Sequence, residues 1–291
     1  MVVGRYRYRF AVTFRQESPN RLMEMNDEKL HEFLEMCYAC YNTEEFIGSD
    51  PLEIVLEYNS RQEREVVALL TACLAYGQVK SIKNSVRELL ERTGEHPRRF
   101  LTDSIPAEIE SASEGFRHRF TGPDLISRLL KGIATVLRRD GTLQNCFCRQ
   151  VEGGQKTHSS ALTGFVREIS GSPGGIPHLL PSPERGSACK RLWLFLRWMV
   201  RDDAVDPGAW DRVDPGGLVV PLDVHMSRIC RELGLTDRSQ PDLKAALEAT
   251  DSFRRICPQD PVRYDFALTR VAMYEGMEAI ENWKTRAIAG L

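Results

Sequence analysis

Residues 219–232, the most informative segment of the chain, read Val-Val-Pro-Leu-Asp-Val-His-Met-Ser-Arg-Ile-Cys-Arg-Glu. A short apolar run ends at Asp223, and the residues after it have the apolar spacing of an amphipathic helix that stops at Gly234. Aspartate is a preferred residue at a helix N-terminus, because its carboxylate accepts hydrogen bonds from amide groups that have no partner within the helix. The stretch therefore predicts a helix that Asp223 caps.

The same helical spacing recurs along most of the chain. Residues 65–76 are apolar almost all round, which predicts a buried central helix ended by Gly77. Residues 151–160 and 170–188 are polar or rich in Gly and Pro, and we expect them to be irregular. Since no alternating strand series and no Asn-Gly hairpin occurs, the predicted fold class is all-α. Further helices are expected over 26–41, from Asp50-Pro51 onward, and over 80–91, 124–139, 162–169, 187–201, 243–255 and 261 to the 280s.

Composition and charge narrow the class of protein. The chain has 291 residues, 42% of them hydrophobic, and no run of eighteen apolar residues, so a membrane span is not expected. Its formal net charge of −2 means that any nucleic-acid binding must rest on a local basic face. The eight cysteines are scattered and resemble reduced cytosolic thiols. Neither Cys37/Cys40 nor Cys146/Cys148 is completed by the further ligands of a zinc site, so neither a metal nor a cofactor is expected.

The first 24 residues differ from the rest. Arginine and aromatic residues alternate there from Arg5 to Phe10, a period that would suit an edge strand. No partner strand is evident elsewhere, and a disordered basic extension is the simpler interpretation.

The helix predicted over 187–201 has a cationic stripe. At 100° per residue, Lys190, Arg197 and Arg201 lie on one side, with Trp193 beside them, opposite an apolar face. Such a stripe suits a nucleic-acid backbone, although a solvated helix face is the more common reason for it. Just upstream, Arg185, Gly186 and Ser187 are further candidates for phosphate contact, because free amide groups at a helix start bind anions.

Lys190 and Asp223 together suggest a catalytic site. A lysine and an aspartate, each at a helix start, are the smallest set of side chains that attack by an amine on a sugar requires. Asp223 as a helix cap and Asp223 as a catalytic carboxylate are compatible roles, because the positive end of the helix dipole keeps the carboxylate ionised. His225 is more simply a packed or capping residue than a base.

These motifs resemble those of a known superfamily. Val-Pro-Leu-Asp-Val-His, ending in His225, is similar to the catalytic-aspartate segment of the helix-hairpin-helix DNA glycosylases, which include endonuclease III and the 8-oxoguanine glycosylases. Lys190 occupies the place of the lysine nucleophile of that superfamily. It precedes Asp223 by 33 residues, a spacing similar to that of the archaeal 8-oxoguanine glycosylases. Segments such as Asp50-Pro51-Leu52-Glu53 and Tyr264-Asp265-Phe266-Ala267-Leu268 also resemble a group of uncharacterised prokaryotic proteins placed near these enzymes.

The resemblance implies two helical subdomains with a cleft between them. One would comprise residues 61–201 and carry Lys190, and the other would comprise 25–60 with 202–291 and carry Asp223. The implied activity is excision of a damaged base, weakly favouring 8-oxoguanine, by a lysine Schiff base followed by β-elimination. The substrate would be double-stranded DNA with an everted base, bound by a cytoplasmic, nucleoid-associated monomer. Candidates for the base pocket are Tyr76, Trp193, His225 and Asp265.

The sequence also departs from the superfamily. Residues 180–186 keep only one glycine of the Leu-Pro-Gly-x-Gly hairpin, and only Cys230 and Cys257 follow Asp223, so no iron–sulfur cluster is expected. A non-catalytic DNA-binding protein with the same fold is the main alternative. A nuclease-like or RNA-directed activity is a third, for which the sequence has no cluster of metal-binding carboxylates.

Overall fold

The computed structural model describes residues 27–152 and 157–289, and the amino-terminal extension lies outside the described residues. The described part of the chain is mostly helical, as predicted. Its α-helices in chain order are α1 (Asp27–Tyr41), α2 (Leu52–Leu56), α3 (Arg61–Leu74), α4 (Val79–Thr93), α5 (Pro97–Asp103), α6 (Pro106–Ser113), α7 (Pro123–Asp140), α8 (Leu143–Glu152), α9 (His158–Ser170), α10 (Lys190–Val200), α11 (Val224–Glu232), α12 (Leu243–Ile256), α13 (Asp265–Tyr274) and α14 (Met277–Ala289). Short 3-10 turns occupy Glu44–Ser49, Pro183–Arg185 and Pro215–Gly217.

The central helix α3 is buried as its composition predicts. Ser60 caps it, since the amide of Glu63 donates to the Ser60 hydroxyl at 3.4 Å. Every side chain from Glu65 to Leu74 is buried, and α10 packs directly against this helix. The carboxylate of Glu65 accepts from the amides of Leu143 and Gln144 and from the indole of Trp210. This internal acid therefore ties α3 to the start of α8 and to the segment after α10.

Three regions differ from the expectation. The sequence predicts a helix break at Pro97, but this residue lies in the first turn of α5. Pro106 likewise lies in the first turn of α6. A proline is tolerated there because the first amides of a helix have no partner within it. Helix α8 extends to Glu152 and α9 begins at His158, so both ends of the segment predicted to be irregular over 151–160 are helical. The long helix predicted from 261 is interrupted at Gly276, whose φ of 81° is in the left-handed region, and this glycine separates α13 from α14.

The connection over 170–188 is irregular, as expected, apart from one small hairpin. Its strands β1 (Gly175–Ile176) and β2 (Leu180–Pro181) pair antiparallel, with Gly175 opposite Pro181. Helix α9 packs against both strands, and α7 packs against α9. At that crossing Gly132 allows the two helices to approach closely, because a Cβ at this position would collide with the carbonyl oxygen of Ile169.

Candidate active site

Lys190 and Asp223 lie side by side in the structure. Nζ of Lys190 is 2.8 Å from Oδ2 of Asp223, and the side chains are 38% and 31% exposed. Lys190 is the first residue of α10, and Asp223 immediately precedes α11. The predicted proximity of the amine and the carboxylate is therefore confirmed, and the pair remains accessible to a ligand.

Asp223 is the cap of α11, as predicted. Its Oδ1 accepts from the amide of Met226 at 2.8 Å, while Oδ2 faces Lys190. Burial acts to raise the pKa of Asp223, but the Lys190 ammonium and the Met226 amide outweigh it and hold the pKa below its ordinary value. The carboxylate thus stays ionised across the neutral range, with one oxygen fixed by the helix and the other directed at the amine.

Lys190 follows a residue with an uncommon backbone. Cys189 has a φ of 47°, in the left-handed region, and its thiol donates to the carbonyl oxygen of Pro181 at 3.7 Å. Burial raises the pKa of Cys189 to about 11, so the thiol is neutral at pH 7 and is a poor nucleophile. Of these two neighbours, Lys190 is therefore the candidate nucleophile at the start of α10.

The Lys190–Asp223 pair lines an open cleft in the described part of the structure. The cleft has a volume of about 800 Å³, within the range of pockets that hold small molecules. Its walls come from the ends of α3, α10, α11 and α13 and from the turn before α2. The polar and charged lining residues are Ser49, Asp50, Tyr76, Ser187, Lys190, Arg191, Arg197, Asp223, His225, Arg228, Asp265, Thr269 and Arg270.

Buried ion pairs line part of this cleft. Nη2 of Arg270 contacts Oδ2 of Asp50, and Nη1 of Arg197 contacts Oδ2 of Asp265. All four side chains line the cleft. Burial raises the pKa of Asp265 above its ordinary value, although Arg197 acts in the opposite direction. The lining thus offers a ligand both hydrogen-bond donors and acceptors in fixed positions.

Arg197 and Arg201 are not on the surface, so the predicted exposed cationic stripe is wrong. Arg197 is only 2% exposed, and both guanidinium groups pair with the fully buried carboxylate of Asp206. Arg201 also pairs with Asp203 and Asp260. The helical wheel placed both arginines on the same face correctly, but that face is covered by the acidic segment that follows α10. Neither residue can contact a DNA backbone while it is held there.

The four candidates for the base pocket have different positions. Trp193 is fully buried in the core and cannot stack on a bound base, because α10 is covered on its apolar side by α3. Tyr76, His225 and Asp265 all line the cleft. Tyr76 is firmly held: its hydroxyl donates to the carbonyl oxygen of His118 at 2.9 Å, and the guanidinium of Arg191 lies 5.0 Å from its ring centre.

The proposed phosphate seat before Lys190 is only partly present. Helix α10 begins at Lys190 rather than at Ser187, and the amide of Gly186 donates to the carbonyl oxygen of Pro183 at 2.8 Å. Gly186 therefore has no free amide for a phosphate. Ser187 lines the cleft, whereas Arg185 is exposed outside it and lies against Gly174.

Several cleft residues were not identified from the sequence. Asp50 and Arg270, 220 residues apart, form one ion pair, and Arg228 lines the cleft one turn after Asp223. Arg191 donates to the carbonyl oxygens of Cys73 and His178, which ties the start of α10 to two other segments. Two features of the sequence could have identified some of them. Asp50 precedes Pro51, a combination that is common at helix starts, and Arg191 directly follows Lys190.

Within residues 27–152 and 157–289, no group of three or more His, Cys, Asp or Glu side chains is arranged to hold a metal ion. None of the helices described is long and apolar enough to cross a bilayer. All eight cysteines are free.

The fold and the site define an all-helical protein with a lysine–aspartate pair in a polar cleft. The chain belongs to the DUF2400 family, described as a protein of unknown function, whose sequence model matches residues 50–274. No curated protein and no solved structure matches the chain. The matched region contains every residue that lines the cleft except Ser49 and Met277.

Proposed function

We propose that this protein is a DNA glycosylase that excises a damaged base and then cleaves the strand, with Lys190 as nucleophile. The observation that carries the proposal is the 2.8 Å contact between Nζ of Lys190 and Oδ2 of Asp223 in the wall of an open cleft. These are the two residues to which the superfamily resemblance assigns catalysis. The arrangement of residues 61–201 and of 25–60 with 202–291 as two glycosylase-like subdomains is part of the same proposal.

The cleft would receive a nucleotide turned out of the duplex. An enzyme cannot reach the sugar C1′ of a stacked base, and everting the nucleotide costs a few kcal/mol. A volume of about 800 Å³ is sufficient for a nucleoside. The ion pair Asp50–Arg270 and the Asp265 carboxylate, which Arg197 holds in place, would then present donors and acceptors to the base edge, with Tyr76 and His225 beside it.

The proton on Lys190 must leave before the amine can attack. In the structure the ammonium is paired with the carboxylate of Asp223, and both groups are partly exposed. A nucleoside that enters the cleft displaces water, and a drier site favours the neutral forms of both groups over the ion pair. Asp223 is the acceptor within hydrogen-bond distance for that proton. Water exclusion by the substrate would thus activate the nucleophile only when the substrate is bound.

The reaction then follows from the free amine. Its lone pair attacks C1′ while the C1′–N bond breaks, and the electron pair leaves with the base, which takes up a proton. Loss of the second amine proton and opening of the sugar ring give a Schiff base between Lys190 and C1′. Removal of a C2′ proton then breaks the C3′–O bond and cuts the strand. Asp223 passes the proton that it took from Lys190 to the departing base, and the carboxylate so regenerated stabilises the cationic character at the sugar.

The base recognised is proposed from the spacing of the two catalytic candidates and from the lining of the cleft. The spacing of 33 residues between Lys190 and Asp223 resembles that of the archaeal 8-oxoguanine glycosylases, so 8-oxoguanine is the first lesion to test. Asp265 in the cleft lining, with its carboxylate held by Arg197, is the acid placed to accept hydrogen bonds from a purine edge.

Borohydride trapping tests the proposal directly. Borohydride reduces a Schiff base to a stable covalent complex, so the wild-type protein should be trapped on at least one duplex of a lesion panel that includes 8-oxoguanine. Lys190→Ala should not be trapped. Lys131→Ala is a matched control, because Lys131 is 35% exposed and is also paired with a carboxylate, that of Glu110, but does not line the cleft. Trapping by Lys190→Ala at the wild-type level would refute the assignment.

Lys190→Arg separates the enzyme from a non-catalytic DNA-binding protein. An arginine keeps the positive charge and the ion pair with Asp223 but supplies no attacking amine. A protein that only binds should keep its affinity for duplex DNA and show no trapping in the wild type. An enzyme should keep the affinity and lose trapping in the variant alone.

A further inference from the structure

A tight turn beside the cleft presents a single exposed aromatic ring. His118 and Thr121 exchange both backbone hydrogen bonds, at 2.9 and 2.8 Å, so that Arg119 and Phe120 form the two-residue tip of a hairpin-like turn. Phe120 is 69% exposed, the largest exposed fraction among the aromatic residues described. Exposure of a large apolar side chain is unfavourable in water, so this position has no evident role in folding.

The base of the turn is rigidly anchored. The Tyr76 hydroxyl donates to the carbonyl oxygen of His118 and lies 2.7 Å from the Thr121 hydroxyl. His118 is buried, with Nε2 3.1 Å from the carbonyl oxygen of Tyr76 and Nδ1 3.0 Å from the hydroxyl of Ser85. Since Tyr76 lines the cleft, the turn is fixed directly to the cleft wall. Phe120 is therefore a projecting ring on a rigid support.

The tip of the turn is close to the candidate active site. Arg119 has a φ of 48°, a left-handed conformation that is rare for arginine, and its side chain packs on Gly77 of the cleft wall. A Cβ at Gly77 would come within 2.8 Å of the Arg119 guanidinium. Backbone strain of this kind is retained only where the surrounding structure enforces it, and it is commonest at functional sites.

A second turn lies next to the ring. His178, at the tip of the β1–β2 hairpin, also has a left-handed backbone with a φ of 60°, and its ring centre is 6.1 Å from that of Phe120. Arg191 donates to the carbonyl oxygen of His178 and lies over the Tyr76 ring. The residue that follows Lys190 in the chain therefore braces both turns.

The surroundings of the ring are cationic. Arg117 and Arg119 are both exposed, and within the described residues no ion pair joins either of them to a carboxylate. The guanidinium of Arg119 lies 5.6 Å from the centre of the Phe120 ring. Arginines without a carboxylate partner beside a projecting ring favour a polyanion that also offers flat apolar faces. Nucleic acid has both properties, because its phosphates attract arginine and its bases stack on aromatic rings.

The geometry points to Phe120 as a residue that stacks on a base of the duplex adjoining the nucleotide held in the cleft, with Arg119 and Arg117 on the neighbouring phosphates. This inference rests on the proposed function, since it takes duplex DNA as the ligand. Eversion of a nucleotide leaves a gap in the stack, and an apolar side chain that enters the stack offsets the loss. A ring on a rigid turn loses little conformational freedom when it does so.

The experiment uses a duplex in which binding is independent of catalysis. The duplex carries a tetrahydrofuran abasic analogue with 2-aminopurine opposite it, and both the dissociation constant and the 2-aminopurine emission are measured. Phe120→Ala should weaken binding roughly tenfold, in line with the loss of one aromatic–base stack, and should abolish the emission change produced by the wild type. Phe120→Trp should restore both. Ile105→Ala is the matched control, since Ile105 is also largely exposed but lies at the start of α6 and not in the turn anchored by Tyr76, and it should behave as the wild type.

A charge variant supplies an independent readout. Arg119→Gln should reduce the slope of log affinity against log salt concentration by about one, as expected for the loss of one phosphate contact. Equal affinity, emission and salt slope in the wild type, Phe120→Ala and Arg119→Gln would overturn the inference. If the wild type binds with a Phe120-dependent emission change but traps no lesion, the glycosylase proposal fails and the stacking role stands. If the wild type traps a lesion and Phe120→Ala is indistinguishable from it in binding and emission, the stacking role alone fails.

Discussion

Helix α10 contributes to two clusters of charge that have opposite properties. At its first residue, Lys190 pairs with Asp223 at the cleft, and both side chains are partly exposed. Two turns later, Arg197 and then Arg201 pair with Asp206, and these three side chains are buried. A ligand could displace the first pair, because it is partly exposed in the wall of the cleft. Arg197 and Arg201 cannot separate from Asp206 without leaving a buried charge uncompensated, so this cluster stabilises the fold.

Removal of the accessible amine should have the largest effect on activity. Lys190→Ala should lower base release and trapping at least a thousandfold, since the loss of a nucleophile removes the covalent route altogether. Its urea unfolding midpoint should stay close to that of the wild type, because the pair with Asp223 is half-exposed. Single-turnover assays on the lesion identified by trapping measure the first effect. A variant that loses activity only because it unfolds would contradict the contrast between the two clusters.

Removal of a buried guanidinium should have the opposite result. Arg197→Met leaves Asp265 and Asp206 with one cation fewer in the interior, and should destabilise the protein by about 3–5 kcal/mol. Chemical unfolding monitored by circular dichroism measures the difference. Arg99→Met provides the control, because Arg99 forms only an exposed pair with Asp103 and its loss should hardly change the unfolding free energy. Equal stability of the two variants would show that the buried cluster does not hold the fold.

Substitution of Asp223 should have a moderate effect on both activity and stability. Asp223→Asn keeps an amide oxygen to cap α11 but loses the anion, so base excision should fall about a hundredfold. Asp223→Ala also removes the cap and should cost about 1 kcal/mol of unfolding free energy. Asp242→Asn is a matched control: Asp242 caps α12 through the amide of Ala245 at 2.8 Å and does not line the cleft. Retention of full activity by Asp223→Asn would remove the carboxylate from the mechanism.

A smaller effect is expected on the pH dependence of the unfolding free energy. It comes from His118, at the base of the turn that carries Phe120. Burial, reinforced by Arg119 and Arg191, lowers the pKa of His118 below its ordinary value despite hydrogen bonds to backbone carbonyls that act to raise it. Near pH 6.5, His118 therefore takes up a proton more readily in the unfolded chain than in the folded protein. The contribution of His118 to stability is present above that pH and is lost progressively as the pH falls through the folded pKa. Between pH 7.5 and 5.5, His118→Gln should lose less unfolding free energy than the wild type.

The sequence was sufficient to predict the parts of the fold that depend on local pattern. The apolar composition of residues 65–74 required a buried helix, and Asp223 was identified as a cap from its place before an amphipathic run. Short helices that begin at a proline, such as α5 and α6, were missed because seven or eight residues carry too little periodicity to distinguish them from a turn.

The candidate site was predictable where one motif carried it. Lys190 and Asp223 were named from two segments, but the position of Arg197 was misjudged because a wheel shows which residues share a face and not what covers that face. The acids at 202, 203 and 206 just after the helix were the available signal that counterions were close. The pair Asp50–Arg270 joins residues 220 apart, and no local pattern indicates such a contact.

The absence of a side chain at Gly132 has a consequence for the cleft. Helices α7 and α9 touch there at the level of their backbones, and α9 in turn supports the β1–β2 hairpin from which the chain runs to Lys190. One additional methyl group in that crossing would push α9 outward and carry the hairpin with it. The position of the Lys190 amine thus depends mechanically on a residue that belongs to neither wall of the cavity.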